Sequence, residues 1–477
     1  MKTRAEAGFF PLRAHSLKDK CGVFAAWGVP EASHITYLGL FALQHRGQEG
    51  AGIISFHDNH LIGHRGEGLV SKIFTRPILE SIRGSIAIGH VRYSTAGGSS
   101  ARNVQPLWAE GSTRDVAISH NGNLTNAVIL RTQLEQQGSV FQTNVDTEVI
   151  LHLMARAKGD VKTRLREALS QVEGAYSLAV LSREEGRPRL FVMKDPNGFR
   201  PLALGKLGEG FVVASETCAF DLIGAEFLRE IEPGEVVEFS KDGMQSWFLP
   251  AKAKPAPCIF EWIYFSRPDS VVFGKSVYEM RKKMGEILAD QDQAAGLKAD
   301  MVIGVPDSGI PAAIGYSQKS GIPFEMGIIR NHYIGRTFIE PHQSIRDFSV
   351  KIKQNPVRES LRGKKMVVID DSIVRGTTSK KINQFLREAG AGEIHMRISA
   401  PPTISPCYYG IDTPLEKDLI AANKSIEEIR KFVMADSLAY LDIQSIYEKL
   451  VPKSSMCDAC FTKNYPVAPK DATPHSH

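Results

Sequence analysis

The sequence predicts an α/β protein of two domains, on three observations. The first half alternates short apolar strands with hairpin signals, and the second half repeats a strand, loop, helix rhythm. Between them the stretch LPAKAKPAPC, with three prolines, breaks both patterns. A chain of 477 residues is also too long for a single core, since domains average about 150 residues.

In the first half SIAIGHVRYST reads as a strand, and DVAISHNGNLTNAVIL as strand, loop and helix start. AYSLAVLSREEGRPRLFVMKDP reads as two strands around a Gly-containing turn, and EVVEFSKDGMQSWFL repeats that plan around Asp242-Gly243. Antiparallel sheet with helices packed outside is the expectation. His57, His60 and His64 in FHDNHLIGH imitate metal-ligand spacing, but Asp58-Asn59 reads as a hairpin turn; DPNGFRP, Asp195 to Pro201, is a tight turn. In the second half ADMVIGVPDSGIPAAIGYSQKSG and KKMVVIDDSIVRGTTSKKINQFLREAG each run strand, loop, helix. Ile382, Phe385, Leu386 and Ala389 share one helix face and Gly390 sits where the helix would end, so a parallel sheet is expected.

Composition narrows the function classes. With 43% hydrophobic and 23% charged residues the chain is globular, and no run approaches the ~18 apolar residues of a membrane span. Residues 1–20 lack the apolar stretch of a signal peptide, which predicts a cytoplasmic protein. The net charge of +5 is spread along the chain, which argues against a nucleic-acid partner. Six cysteines in such a chain point to metal or catalysis rather than a disulfide scaffold.

VVIDDSIVRGTTS is the most informative stretch. An apolar strand delivers Asp370 and Asp371 to its carboxyl end, where open α/β sheets bind ligands. Arg375, Gly376, Thr377, Thr378 and Ser379 follow just before a helix whose first N–H groups make an anion cradle. The Gly-Lys-Ser/Thr ending of a nucleoside-triphosphate loop is missing, so carboxylates dominate the mouth of the site. This stretch resembles the signature of the type I phosphoribosyltransferases. The resemblance implies that Arg375 to Ser379 hold the 5′-phosphate of phosphoribosyl pyrophosphate (PRPP), while Asp370 and Asp371 address ribose and Mg²⁺. VPDSG, Val305 to Gly309, resembles the family's pyrophosphate loop, with Ser308 at the metal and diphosphate site. IIRNHYIGRTFI, carrying Arg330, His332, Tyr333 and Arg336, resembles the loop that closes over PRPP and keeps water from the oxocarbenium-like ribose.

Cys21 stands at the head of a strand in KCGVFAAWG. A thiol that attacks a carboxamide needs a base, oxyanion donors and ion partners for the substrate's amino-acid end. Arg92 can clamp an α-carboxylate, Asp146 can take an α-ammonium, and the Asn121 amide with the Gly122 N–H can face the oxyanion. Together with LQHRGQEGAG, Leu43 to Gly52, these residues resemble the glutaminase domain of the N-terminal-nucleophile amidotransferases. That resemblance implies an αββα domain in which Cys21 is the first residue of the mature chain and its α-amino group the base. An α-amine with a pKa of about 7.7 to 8.0 exchanges protons readily with a thiol near 8.5, as an amide nitrogen cannot. Residues 1–20 are then a propeptide, 21–250 the glutaminase domain, and 251–477 the phosphoribosyltransferase domain.

The two halves together resemble the glutamine PRPP amidotransferases, iron-sulfur subgroup. Implied are conversion of PRPP, glutamine and water to 5-phosphoribosylamine, glutamate and pyrophosphate in purine biosynthesis, an apolar passage for ammonia, feedback by purine nucleotides, and a homotetramer or other homo-oligomer. MCDAC sets Cys457 and Cys460 at a metal-binding spacing. With Cys258 and Cys407 they match the subgroup's ligands for a [4Fe-4S] cluster, zinc being the rival occupant, while Cys218 in ASETCAF is a core thiol. Two other readings share parts of this pattern: a glutaminase fused to a different acceptor domain, and a PRPP-binding regulator.

Overall fold

A computed structural model of the chain describes residues 20–93, 101–250, 253–331 and 354–471. The expected propeptide, apart from Lys20, lies outside the described residues, as do His332, Tyr333 and Arg336. Strands of the first half are β1 (Lys20–Trp27), β2 (Gly50–His57), β3 (His60–Glu67), β4 (Ile86–Tyr93), β5 (Leu107–Glu110), β6 (Arg114–Leu124) and β7 (Gly174–Glu184). They continue as β8 (Arg187–Lys194), β9 (Ala203–Leu207), β10 (Gly210–Ala214), β11 (Glu226–Glu230), β12 (Glu235–Ser240) and β13 (Gly243–Phe248). One sheet has the order β11-β9-β10-β1-β4-β2-β3 and the other β13-β12-β8-β7-β6-β5. The pairings within both are antiparallel.

Alternation along the strands builds four layers. Val23 and Ala25 of β1 meet Ala179 and Leu181 of β7 between the sheets, while Phe24 and Ala26 point the other way, toward the helix Ala32–Ala42. On the far side Tyr176, Leu178 and Val180 pack against the helices Ala127–Gln136, Thr147–Arg156 and Val161–Leu169. The result is the expected αββα arrangement. Asp58 and Asn59, at φ +47° and +68°, make the expected turn between β2 and β3. One element differs from the sequence reading: His120 to Leu124 continue β6 instead of forming a loop. The ladder from Arg114 opposite Glu184 to Leu124 opposite Gly174 overrides the turn preference of Asn-Gly-Asn.

Past the proline-rich stretch come the short strands β14 (Val271–Val272) and β15 (Lys275–Ser276), then β16 (Met301–Gly304), β17 (Ile328–Arg330) and β18 (Gln354–Pro356). β19 (Lys365–Asp370), β20 (Glu393–Ile398) and β21 (Ser437–Tyr440) complete the set. β16, β19, β20 and β21 form the expected parallel sheet in that order. Ile382, Phe385, Leu386 and Ala389 are all buried beneath the helix Thr377–Glu388, and Gly390 (φ +96°) follows its end. The last described residues return to the first domain, where Asp471 accepts from the Val128 N–H (2.8 Å) and the Ile129 N–H (3.3 Å).

Candidate functional site

Strand parity gathers the first set of residues. Cys21 shares its face of β1 with Val23 and Ala25, Arg92 shares its face of β4 with Ile86 and Ile88, and Asn121 shares its face of β6 with Ala117. All three faces look into the layer between the sheets. Cys21 is also the cross-strand neighbour of Arg92. All three residues are buried. His90 ties the sheets together at this point: burial pushes its pKa down to about 3, so the neutral ring donates from Nε2 to the His120 carbonyl at 3.0 Å. The Asn121 carboxamide is fully buried, with no hydrogen-bond partner on either atom among the described residues. An unpaired amide at that depth is costly. Asp146 accepts from the Leu124 N–H at 2.8 Å and lies 3.4 Å from His120 Nδ1. Burial works to raise its pKa, but His120 and these hydrogen bonds outweigh it and hold the carboxylate below its usual range.

The second set assembles at the carboxyl edge of the parallel sheet. Asp370 ends β19, and Asp371 accepts from Ser308 Oγ and from Ser372 Oγ (2.5 Å). Both carboxylates are buried within one turn. Burial raises both pKa values; repulsion by Asp371 raises that of Asp370 further, while Ser308, Ser372 and the charge of Arg281 partly relieve Asp371. Gly376, at φ +75°, turns the chain into the helix Thr377–Glu388 and comes so close to Ile420 that a Cβ would sit 3.0 Å from its Cδ1. Arg375, Thr377 and Thr378 are exposed around that helix start, and Ser379 is buried. Arg330 leaves β17 to pair with Asp307, next to Ser308.

The four thiols of the expected cluster come from three segments that touch. Cys457 N–H donates to the Pro257 carbonyl at 2.8 Å, and the Cys460 carbonyl accepts from Ile404 at 2.9 Å. Cys407 Sγ accepts the Tyr409 N–H at 3.3 Å, the kind of bond that tunes metal-bound sulfur. Burial and the neighbouring sulfurs raise the pKa values of Cys457 and Cys460, and burial pushes that of Cys258 up to about 12. This donor set suits a thiolate-bound group, although among the described residues no three His, Cys, Asp or Glu side chains converge as ligands. None of the six cysteines forms a disulfide, and Cys218 is buried as expected.

Comparison with known proteins bears on both centres. Residues 90–221 match the glutamine amidotransferase domain family, and residues 275–401 the phosphoribosyl transferase domain family. The chloroplastic amidophosphoribosyltransferase of Glycine max is 51% identical over 97% of this chain and 81% of its own length. The Bacillus subtilis amidophosphoribosyltransferase is 48% identical over 94% of this chain and 95% of its own. The chain belongs to the amidophosphoribosyltransferase family. The solved B. subtilis glutamine PRPP amidotransferase, complexed with ADP and GMP, superposes with a TM-score of 0.87 at 47% identity, over 95% of this chain and 99% of that one. As the sequence predicts, this amidophosphoribosyltransferase-family chain is a transferase of purine biosynthesis with an amidotransferase domain followed by a phosphoribosyltransferase domain. Among its described residues no helix is long and apolar enough to cross a membrane.

Sequence reasoning missed the polar frame behind Cys21. Arg46 is fully buried, and its Nε donates to the Cys21 carbonyl at 3.0 Å. Its guanidinium bridges Glu216 and Glu261, the latter at 2.9 Å and also held by Arg200 at 2.8 Å. His45 reaches Glu216 at 2.7 Å. Burial would raise both acids, but the arginines and, for Glu216, His45 win: Glu216 is held well below the usual carboxylate range and Glu261 below it. Glu261 lies past the proline-rich stretch, so the Cys21 strand is tied through Arg46 to the second half of the chain. The available signal was an acid inside an apolar run, Glu216 in VVASETCAF and Glu261 in IFEWIYF.

Proposed function

We propose that the chain makes 5-phosphoribosylamine and pyrophosphate from PRPP with nitrogen taken from glutamine, leaving glutamate. One observation carries the glutaminase half: the buried Asn121 carboxamide, without a hydrogen-bond partner among the described residues, shares the inter-sheet layer with Cys21 and Arg92. In this reading residues 1–20 are removed and the Cys21 α-amine takes the thiol proton. The sulfur attacks the glutamine carboxamide carbon, and Asn121 Nδ2 and the Gly122 N–H receive the oxyanion. Arg92 clamps the α-carboxylate and Asp146 faces the α-ammonium. Collapse of the intermediate, with the Cys21 α-ammonium returning its proton to the departing nitrogen, expels neutral ammonia and forms a thioester that water hydrolyses to glutamate. Ammonia crosses to the second domain unprotonated and attacks C1 of PRPP as pyrophosphate leaves.

At that centre Arg375 to Ser379 hold the 5′-phosphate, Asp370 and Asp371 accept from the ribose hydroxyls, and Arg330 and Arg336 close over the diphosphate. Ser308, Asp370 and Asp371 would hold Mg²⁺, which supplies charge neutralisation for the departing pyrophosphate. A buried pair of acids without a full countercharge among the described residues suits a divalent cation. Cys258, Cys407, Cys457 and Cys460 would hold a [4Fe-4S] cluster, with zinc the alternative, as a structural cross-link. Feedback by purine nucleotides, a homotetramer or other homo-oligomer, and a cytoplasmic location belong to the same proposal.

The test is glutamate release from glutamine with and without PRPP. PRPP-stimulated hydrolysis supports the reading, and PRPP binding without hydrolysis overturns it. Cys21→Ala lowers glutamine-dependent synthesis by about 10³-fold or more while ammonia-dependent synthesis persists. Active enzyme whose intact mass still begins at Met1 contradicts the maturation step. A colourless, zinc-replete protein after anaerobic purification contradicts the cluster.

A further inference from the structure

The strand that carries Gly122 is gripped from two sides, and one grip comes from the other domain. Gly122 has φ +151°, and a Cβ there would lie 2.1 Å from the Ala175 carbonyl oxygen of β7. On its other side stands Gly410 (φ +95°), whose Cβ, were there one, would meet the Gly122 carbonyl carbon at 2.8 Å and its Cα and oxygen at 2.9 Å. These neighbours are backbone and cannot rotate away. The next residue secures the same approach, since Asn123 Nδ2 donates to the Tyr408 carbonyl at 2.9 Å. The gripping loop is itself braced: the Tyr409 ring stacks on Phe199 at 4.1 Å, and its hydroxyl donates to the Val467 carbonyl at 2.5 Å.

We propose that Gly410 and the Tyr408 carbonyl are positioning groups for the glutaminase centre. The phosphoribosyltransferase domain sets the placement of the Gly122 N–H, so the oxyanion site reaches working geometry only with this loop seated against β6. The inference rests on the reading of Gly122 as an oxyanion donor. Its physical basis is distance: a side chain at position 410 must push Gly122 away by roughly half an ångström, the full tolerance of a productive site. Glutamine's amino-acid end, addressed by Arg92 and Asp146, is left where it was.

The test uses the mature full-length enzyme at saturating PRPP, with glutamine or ammonia as nitrogen source. Gly410→Ala is expected to lower kcat with glutamine on the order of 10–100-fold, less than the roughly 10²–10³-fold of losing an oxyanion donor because the donor is displaced and not removed, with glutamine KM changed by less than about threefold. Ammonia-dependent synthesis stays within about twofold. Asn123→Ala, which removes the bond to Tyr408 without adding bulk, shifts the same ratio in the same direction by about threefold to tenfold. Equal losses with both nitrogen sources would make the loop merely structural and overturn the proposal. So would an unchanged kcat, or a raised KM alone. Should Gly410→Ala fail to fold, Asn123→Ala decides by the same criteria. Failure of the functional reading is distinct, because then the unsubstituted enzyme hydrolyses no glutamine at all.

Discussion

Around Cys21 one set of charges is closed upon itself: Arg46 lies between Glu216 and Glu261, with Arg200 and the half-buried His45 completing the set. Around Asp370 and Asp371 two carboxylates share one buried turn against hydroxyls and the charge of Arg281. The frame around the first centre is therefore balanced within the protein itself, and the second is left with an electrostatic deficit that a cation and PRPP would fill. The chemistry explains the division. An oxyanion lives only as long as its donors are already in place, so preorganisation matters there. A polyanionic substrate brings its own metal and can complete a site as it binds.

This contrast predicts opposite responses to removing a charge. Arg46→Met strands two buried acids against each other and should destabilise the fold by about 3–5 kcal/mol, read as a fall in thermal midpoint. A small loss would show the network to be loosely held and would break the comparison. Asp371→Asn should act in reverse: synthesis with either nitrogen source falls by about 10²-fold or more, yet the protein is at least as stable, because a repelling partner has gone. Destabilisation by this variant would place Asp371 among the closed networks.

The smallest effect concerns protons. Folding raises the pKa of both acids, so in the unliganded protein their contribution to stability is greatest below the ordinary carboxylate pKa and is lost as pH climbs through the raised values. Binding of Mg²⁺ and PRPP favours the ionised pair. It should release up to about one proton, visible as buffer-dependent heats in titration calorimetry, and affinity should rise with pH until the pair is ionised. Buffer-independent heats would mean that the pair is already ionised and the deficit illusory.

Much of the chemistry was legible because it is local. VVIDDSIVRGTTS carries strand, acids, turn and helix start within thirteen residues, and backbone hydrogen bonding alone arranges them. Cys21, Arg92 and Asn121 were legible as types, and strand periodicity put each on a definite face. The continuation of β6 through HNGN was not legible, because pairing with β7 supplies the hydrogen bonds that local preference would have spent on a turn. Arg46, Glu261 and Gly410 were missed for a related reason. Their partners lie far away in sequence, across 215 residues for Arg46 and Glu261.

What the sequence determined by itself was the order of elements, the two kinds of sheet and the residue types each centre offers, since these follow from side-chain periodicity and short-range turn chemistry. Only the tertiary structure decided which residues meet across the two halves of the chain, with Glu261 paired to the Arg46 that holds the Cys21 carbonyl and Gly410 packed on Gly122. Burial of a charge or contact between two backbones depends on what folds against it, and that is a property of the packed chain.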